Sequence, residues 1–169
     1  MKHTLIALIQ DRPGVLNRVA SMFRRRGFNL ESLSVGPSET PDVSRLTLVV
    51  DNTDTDVEQV SKQLYRLIDV LKVSDVTADP IVARELVLVK IYAPAARRPE
   101  ITSLADACGA TVADVGQDAL VLELAAPPDE VDNFIALARP FGIREMVRSG
   151  RVAMLRGPAT HNSERFLNP

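Results

Sequence analysis

The 169-residue chain contains a single cysteine, Cys108, and no tryptophan. One thiol excludes an internal disulfide framework and any multi-cysteine metal site, and it suits a reducing compartment. Aromatic residues make up 4% of the chain, too few for a sheet that stacks nucleic-acid bases. The two histidines, His3 and His161, stand in terminal segments without a spaced ligand partner and read as incidental. No apolar run approaches the roughly 20 residues needed to span a bilayer. Neither sign of charge prevails: 20 Lys and Arg face 22 Asp and Glu, a net charge of −2, so the surface is not built to hold polyanions. Residues 1–4 lead straight into a short strand-like run, without the long apolar stretch and cleavage site of a signal peptide. The expected location is cytoplasmic, with no membrane and no nucleic-acid partner.

What is present is an ordinary globular composition, 46% hydrophobic and 25% charged, sufficient for a core. Residues 5–9 read as a buried strand. Between Gly14 and Arg26, Val15, Leu16, Val19, Met22 and Phe23 fall on one helical face. Pro13 suits the start of that helix and Gly27 the position past its end. Arg24, Arg25 and Arg26 complement the dipole of its last turn, as a solvated helix end or as a patch for an acidic surface. Residues 28–35 alternate, residues 36–42 turn, and residues 46–50 complete a hairpin. Asp51, Asp54 and Asp56 form a solvated start to a second helix, with Val57, Val60, Leu64, Leu67 and Ile68 at helical spacing. Residues 70–76 return to strand.

The order β-α-β-β-α-β then recurs. Strand-like residues 85–92 precede a helix over 99–108, with Cys108 on its apolar face as a small core residue. A hairpin follows over 111–125, then a helix over 129–139 and a strand over 143–147, with residues 152–155 a possible addition. The predicted fold class is α+β: two ferredoxin-like βαββαβ units, each an antiparallel sheet with helices on one face. The expected domains are residues 1–78 and 84–157, followed by a mobile tail over 158–169. A unit of about 75 residues with an open sheet and exposed edges is marginal alone, so a homodimer or larger assembly is expected.

The segment Asp11-Arg12-Pro13-Gly14 links the first strand to the first helix. A helix start offers unpaired N–H groups and a positive dipole end, which can hold a small anion such as an amino-acid carboxylate. Gly14 is either a plain turn glycine or a point of close ligand approach; Asn29 is either a turn residue or a ligand contact. No catalytic relay accompanies them, which favours a sensor over an enzyme.

These residues resemble an ACT domain, the amino-acid-sensing module. The ordered segments over 26–35, 43–47, 62–73 and 84–91, together with Arg148-Ser149-Gly150, resemble more closely one family, the small regulatory subunits of acetolactate synthase. The resemblance covers residues 1–157. It implies a non-catalytic subunit that binds and activates a thiamine-diphosphate-dependent large subunit. It also implies feedback inhibition by a branched-chain amino acid, with valine the first expectation, in valine, leucine and isoleucine biosynthesis. No cofactor is expected in this chain; thiamine diphosphate, Mg and FAD are expected in the large subunit. The implied effector site takes Asp11, Gly14, Val15 and Leu16 from one chain and Asn29 and Leu30 from its neighbour. Main-chain N–H groups near Gly14 and Val15 would meet the carboxylate, and Asp11 or the Asn29 side-chain oxygen the ammonium. Val15, Leu16 and Leu30 would bound the branched side chain. Some members carry Asn where this chain has Asp11. A thiamine-dependent enzyme is disfavoured, because the chain is short and lacks a Gly-Asp-Gly…Asn-Asn cofactor motif. The alternative is a free-standing ACT sensor acting on another enzyme.

Overall fold

Residues 2–51 and 57–157 are described by the computed structural model. The predicted helix start at Asp54 and Asp56, and the tail over 158–169 with His161, lie outside them. The chain runs β1 (Lys2–Gln10), α1 (Val15–Arg26), β2 (Leu30–Pro37), β3 (Val43–Asp51), α2 (Val57–Tyr65) and β4 (Val70–Asp75). It continues with β5 (Ile81–Tyr92), α3 (Arg98–Cys108), β6 (Thr111–Val115), β7 (Ala119–Ala126), α4 (Pro128–Ala138), β8 (Ile143–Arg148) and β9 (Val152–Leu155). Both βαββαβ units expected from the sequence are present. The first sheet is ordered β2-β3-β1-β4 and the second β6-β7-β5-β8, with β9 pairing to β5; the ladders within each four-strand path are antiparallel.

The strand period explains the first core. Leu5, Ala7 and Ile9 point to one face of β1, where they meet Leu46, Leu48 and Val50 of β3. The apolar stripes of α1 (Val15, Val19, Met22, Phe23) and α2 (Val57, Val60, Leu64) close over that face, as amphipathic helices on a half-buried sheet must. The second unit repeats the arrangement. Val87, Val89 and Ile91 of β5 and Leu120, Leu122 and Leu124 of β7 pack with Ile101 of α3 and Val131 and Phe134 of α4. Cys108 is partly buried against this core.

The unit boundary departs from the expected domain division. Residues 83–149 form one compact unit, and residues 150–157, expected with it, belong with residues 2–82. The reason is burial: Ala153 is buried with Ile6 and Val76, and Ile81 and Leu155 pack on the same small cluster. Just before that crossing, β8 is pinned inside the second unit. Arg148 Nε donates to Glu85 Oε2 at 2.6 Å and its Nη1 to Asp132 Oδ1 at 2.6 Å. The Ser149 N–H donates to the Leu86 carbonyl at 2.9 Å, and the Leu86 N–H to Ser149 Oγ at 2.9 Å.

No helix among the described residues is long and apolar enough to cross a membrane.

Candidate functional site at the start of the first helix

The β1–α1 link is held by main-chain bonds. The Asp11 N–H donates to the Asp42 carbonyl at 2.8 Å, and the Arg12 N–H to the Gln10 carbonyl at 3.0 Å. Asp42 adopts φ 59, a left-handed conformation that Asp tolerates. From the other side, the Gln10 N–H donates to the Asp69 carbonyl at 2.8 Å. The carboxylate of Asp69, itself buried, accepts from Arg18 Nη1 one turn into α1. Asp42, Asp69 and Arg18 thus hold the cradle. Sequence reading missed all three, and only the Pro- and Asp-bearing turn before β3 hinted at Asp42.

The helix begins at Val15, not at Pro13. Gly14 is the N-cap, at φ 86, and no side chain caps the turn. A proline-like φ near −65° cannot make this turn; a residue free to enter the left-handed region can. Among the described residues, nothing lies within 4 Å of where a Gly14 Cβ would stand. The cradle is therefore open at the one residue whose backbone a ligand could approach closely. The Val15 N–H is engaged, donating to the Arg12 carbonyl at 3.3 Å. The Gly14 N–H has no hydrogen-bond partner among the described residues. It is the better-placed donor for an anion, aided by the dipole of α1.

The predicted residues divide. Asp11 and Gly14 are exposed at the cradle, and Leu16 is 45% exposed beside them. The Val15 side chain, expected to bound a pocket, is 2% exposed and belongs to the core; it stands first in the buried stripe of α1. Asn29 and Leu30 lie beyond the other end of the helix. There Gly27, at φ 66, ends α1. The Gly27 N–H donates to the Arg24 carbonyl and the Phe28 N–H to the Phe23 carbonyl. The rings of Phe23 and Phe28 meet edge to face at 6.0 Å and 78°, the apolar contact that accompanies this helix stop. Asn29 follows directly, exposed, with its carbonyl accepting from the Asp51 N–H at 3.3 Å. Leu30 is partly buried against the core.

A 12-residue α1 is about 18 Å long, so one chain does not bring Gly14 and Asn29 together. The sheet register agrees: Gln10, next to Asp11, pairs with Val43, whereas Leu30 pairs with Val50 at the other end of β3. Beside them β2 is an edge strand. Its Leu33 and Val35 register with Leu48 and Leu46, on the helix-bearing face, yet are 36% and 42% exposed. Among the described residues no His, Cys, Asp and Glu side chains gather as a metal-binding group of three.

Residues 84–157 match the family described as the small subunit of acetolactate synthase. Residues 5–72 match the AHAS small subunit-like ACT domain. A probable acetolactate synthase small subunit of Archaeoglobus fulgidus is 49% identical over 93% of this chain and 98% of its own. The acetolactate synthase small subunit of Mycolicibacterium smegmatis is 44% identical over 92% of each chain. The crystal structure of the acetolactate synthase small subunit from Thermotoga maritima superposes with a TM-score of 0.85 at 35% identity, covering 94% of this chain and 99% of that one. The chain belongs to the family of acetolactate synthase small subunits, and its first unit is an ACT domain.

Proposed function

We propose that this chain is a non-catalytic regulatory subunit. It binds the catalytic large subunit of acetolactate synthase, raises its activity, and conveys feedback inhibition by a branched-chain amino acid, valine first. Thiamine diphosphate, Mg and FAD would reside in the large subunit, and the working location would be the cytoplasm. Family membership supports the partner. The observation that carries the effector reading is the division of the predicted site between the two ends of α1, next to an edge strand with apolar side chains left exposed.

Pairing β2 with β2 of a second copy, antiparallel about a twofold axis near Leu33 and Ser34, resolves both features. It sets Leu30 of one chain against Pro37 of the other. Pro37 registers with Ser44, adjacent to the Val43–Gln10 pair and so to Asp11. Asn29 and Leu30 of one chain then approach the Asp11–Gly14 cradle of its partner. The ligand carboxylate meets the Gly14 N–H and the dipole of α1. Its ammonium meets Asp11 or the Asn29 side-chain oxygen, and Leu16 and Leu30 border its apolar branch. A ligand that bridges two chains stiffens their interface and shifts the population of large-subunit conformations.

Calorimetric titration of the chain, alone and bound to its large subunit, with valine, leucine, isoleucine and alanine tests this. Saturable binding of one branched amino acid, with alanine inert, is expected. Absence of binding in both preparations would overturn the effector reading.

A further inference from the structure

Within one chain, β2 is an edge strand: among the described residues its neighbouring strand is β3. Leu33 and Val35 face the helices, while Ser32 and Ser34 register with Val49 and Thr47 on the opposite face. Residues 150–153 lie against that opposite face. A Cβ added to Gly150 would stand 2.6 Å from Ser34 Oγ and 2.9 Å from the Leu33 carbonyl oxygen. The hydroxyl can rotate away; the carbonyl is β2 backbone and cannot. The Arg151 N–H donates to Ser32 Oγ at 3.4 Å, and Arg151 Nη1 to the buried Thr4 Oγ1 of β1 at 3.1 Å. From β3, Arg45 Nη2 donates to the Ala153 carbonyl at 3.0 Å. Ala153 is buried against Ile6 and Val76, and the Arg156 N–H donates to the Pro80 carbonyl at 2.8 Å. The segment is a strap across three strands, anchored beyond them.

We propose that Gly150 and Arg151 are positioning residues for the effector response: the strap fixes where β2 presents Asn29 and Leu30 to the neighbouring chain, and so sets effector affinity without touching the effector. This rests on the effector site proposed above. Until a second copy pairs with it, β2 has a ladder along one side and opens more easily than a doubly paired strand, so its position has to be fixed within its own chain before the two copies meet. The strap supplies β2 with a second support on the face opposite its apolar residues. Gly150 allows that approach because it has no Cβ; any side chain there levers β2 at Leu33. Because binding and ordering are linked reciprocally, an effector that steadies β2 also steadies the strap.

The test compares wild type with Gly150→Ala and Arg151→Ala as full-length chains, alone and with the large subunit. Thermal melting checks folding, and Ser32→Ala, which removes only the acceptor of the Arg151 N–H, replaces any variant that fails to fold. The variants are expected to bind effector at least about tenfold more weakly, to keep the uninhibited rate of the complex, and to exchange the amides of residues 32–36 faster. Wild-type affinity in the variants would overturn the proposal. So would weaker binding with unchanged exchange in β2, because the effect would then run by another route. If wild type itself binds no branched-chain amino acid, the effector reading falls and exchange alone decides the strap: faster exchange in the variants supports it, and unchanged exchange overturns it.

Discussion

Gly14 combines a conformation with an opening. Its φ of 86 admits a β-branched side chain only as an outlier, and the space above it is free of the described residues. Gly14→Val is expected to cost about 1–2 kcal/mol of stability, read from denaturant midpoints, and to abolish effector binding while the large subunit remains activated. Lys72 offers a pH test. Its pKa lies below the ordinary 10.5, mainly through burial and also through the nearby Arg45 charge, with Glu39 acting the other way. Between the lowered folded value and 10.5, the unfolded chain binds more protons at this residue, so its contribution makes stability rise with pH across that interval. Lys72→Met is expected to flatten that part of the pH–stability curve; an unchanged curve would contradict the assignment. Of the proposed site residues, Gly14 was legible as the glycine of a helix start, because it stands between a proline and an amphipathic run. Val15 was expected to bound a pocket, but its side chain stands at the head of the buried stripe of α1 and packs into the core; nearness in sequence to the proposed cradle does not turn it outward.

The element that organises the proposed site is α1. Its apolar offsets indicated its length in the sequence, and that length keeps Gly14 and Asn29 apart within one chain. The start of β2 was less legible, expected at residue 28 and found at Leu30. Phe28 continues the alternating apolar pattern of the strand, but it is spent on the helix stop, against the Phe23 ring. Phe28→Ala is expected to lose about 0.5–1.5 kcal/mol from the ring contact alone and to weaken effector binding by loosening Asn29, measured by melting and calorimetry on one preparation. The β2 edge carries a separate prediction. Leu33→Lys would bring two like charges together across the proposed twofold axis. Sedimentation velocity is expected to show dimers giving way to monomers, with effector binding lost in parallel; an intact dimer would move the interface away from β2.

At the scale of the molecule, the repeated βαββαβ order was readable because each unit's core follows local periodicity. The return of residues 150–157 to the first unit was not. Its partners, Thr4, Ile6, Ser32 and Arg45, lie more than a hundred residues away, and a four-residue strand announces its own pattern without naming its partner. The proposed effector site would likewise be a property of two chains, so the proposal makes regulation depend on contacts that no local window contains.

The central claim, one effector site built from two chains, is tested most directly by mixing two defective subunits. Gly14→Val spoils the cradle and Asn29→His the facing strand, so each homodimer is expected to bind no effector. In a mixed dimer both lesions fall in one site and leave the other intact. After subunit exchange at equal amounts, calorimetry is expected to recover about a quarter of the wild-type sites, at wild-type affinity. No recovery after verified exchange would mean that each site lies within one chain, and the account would be wrong.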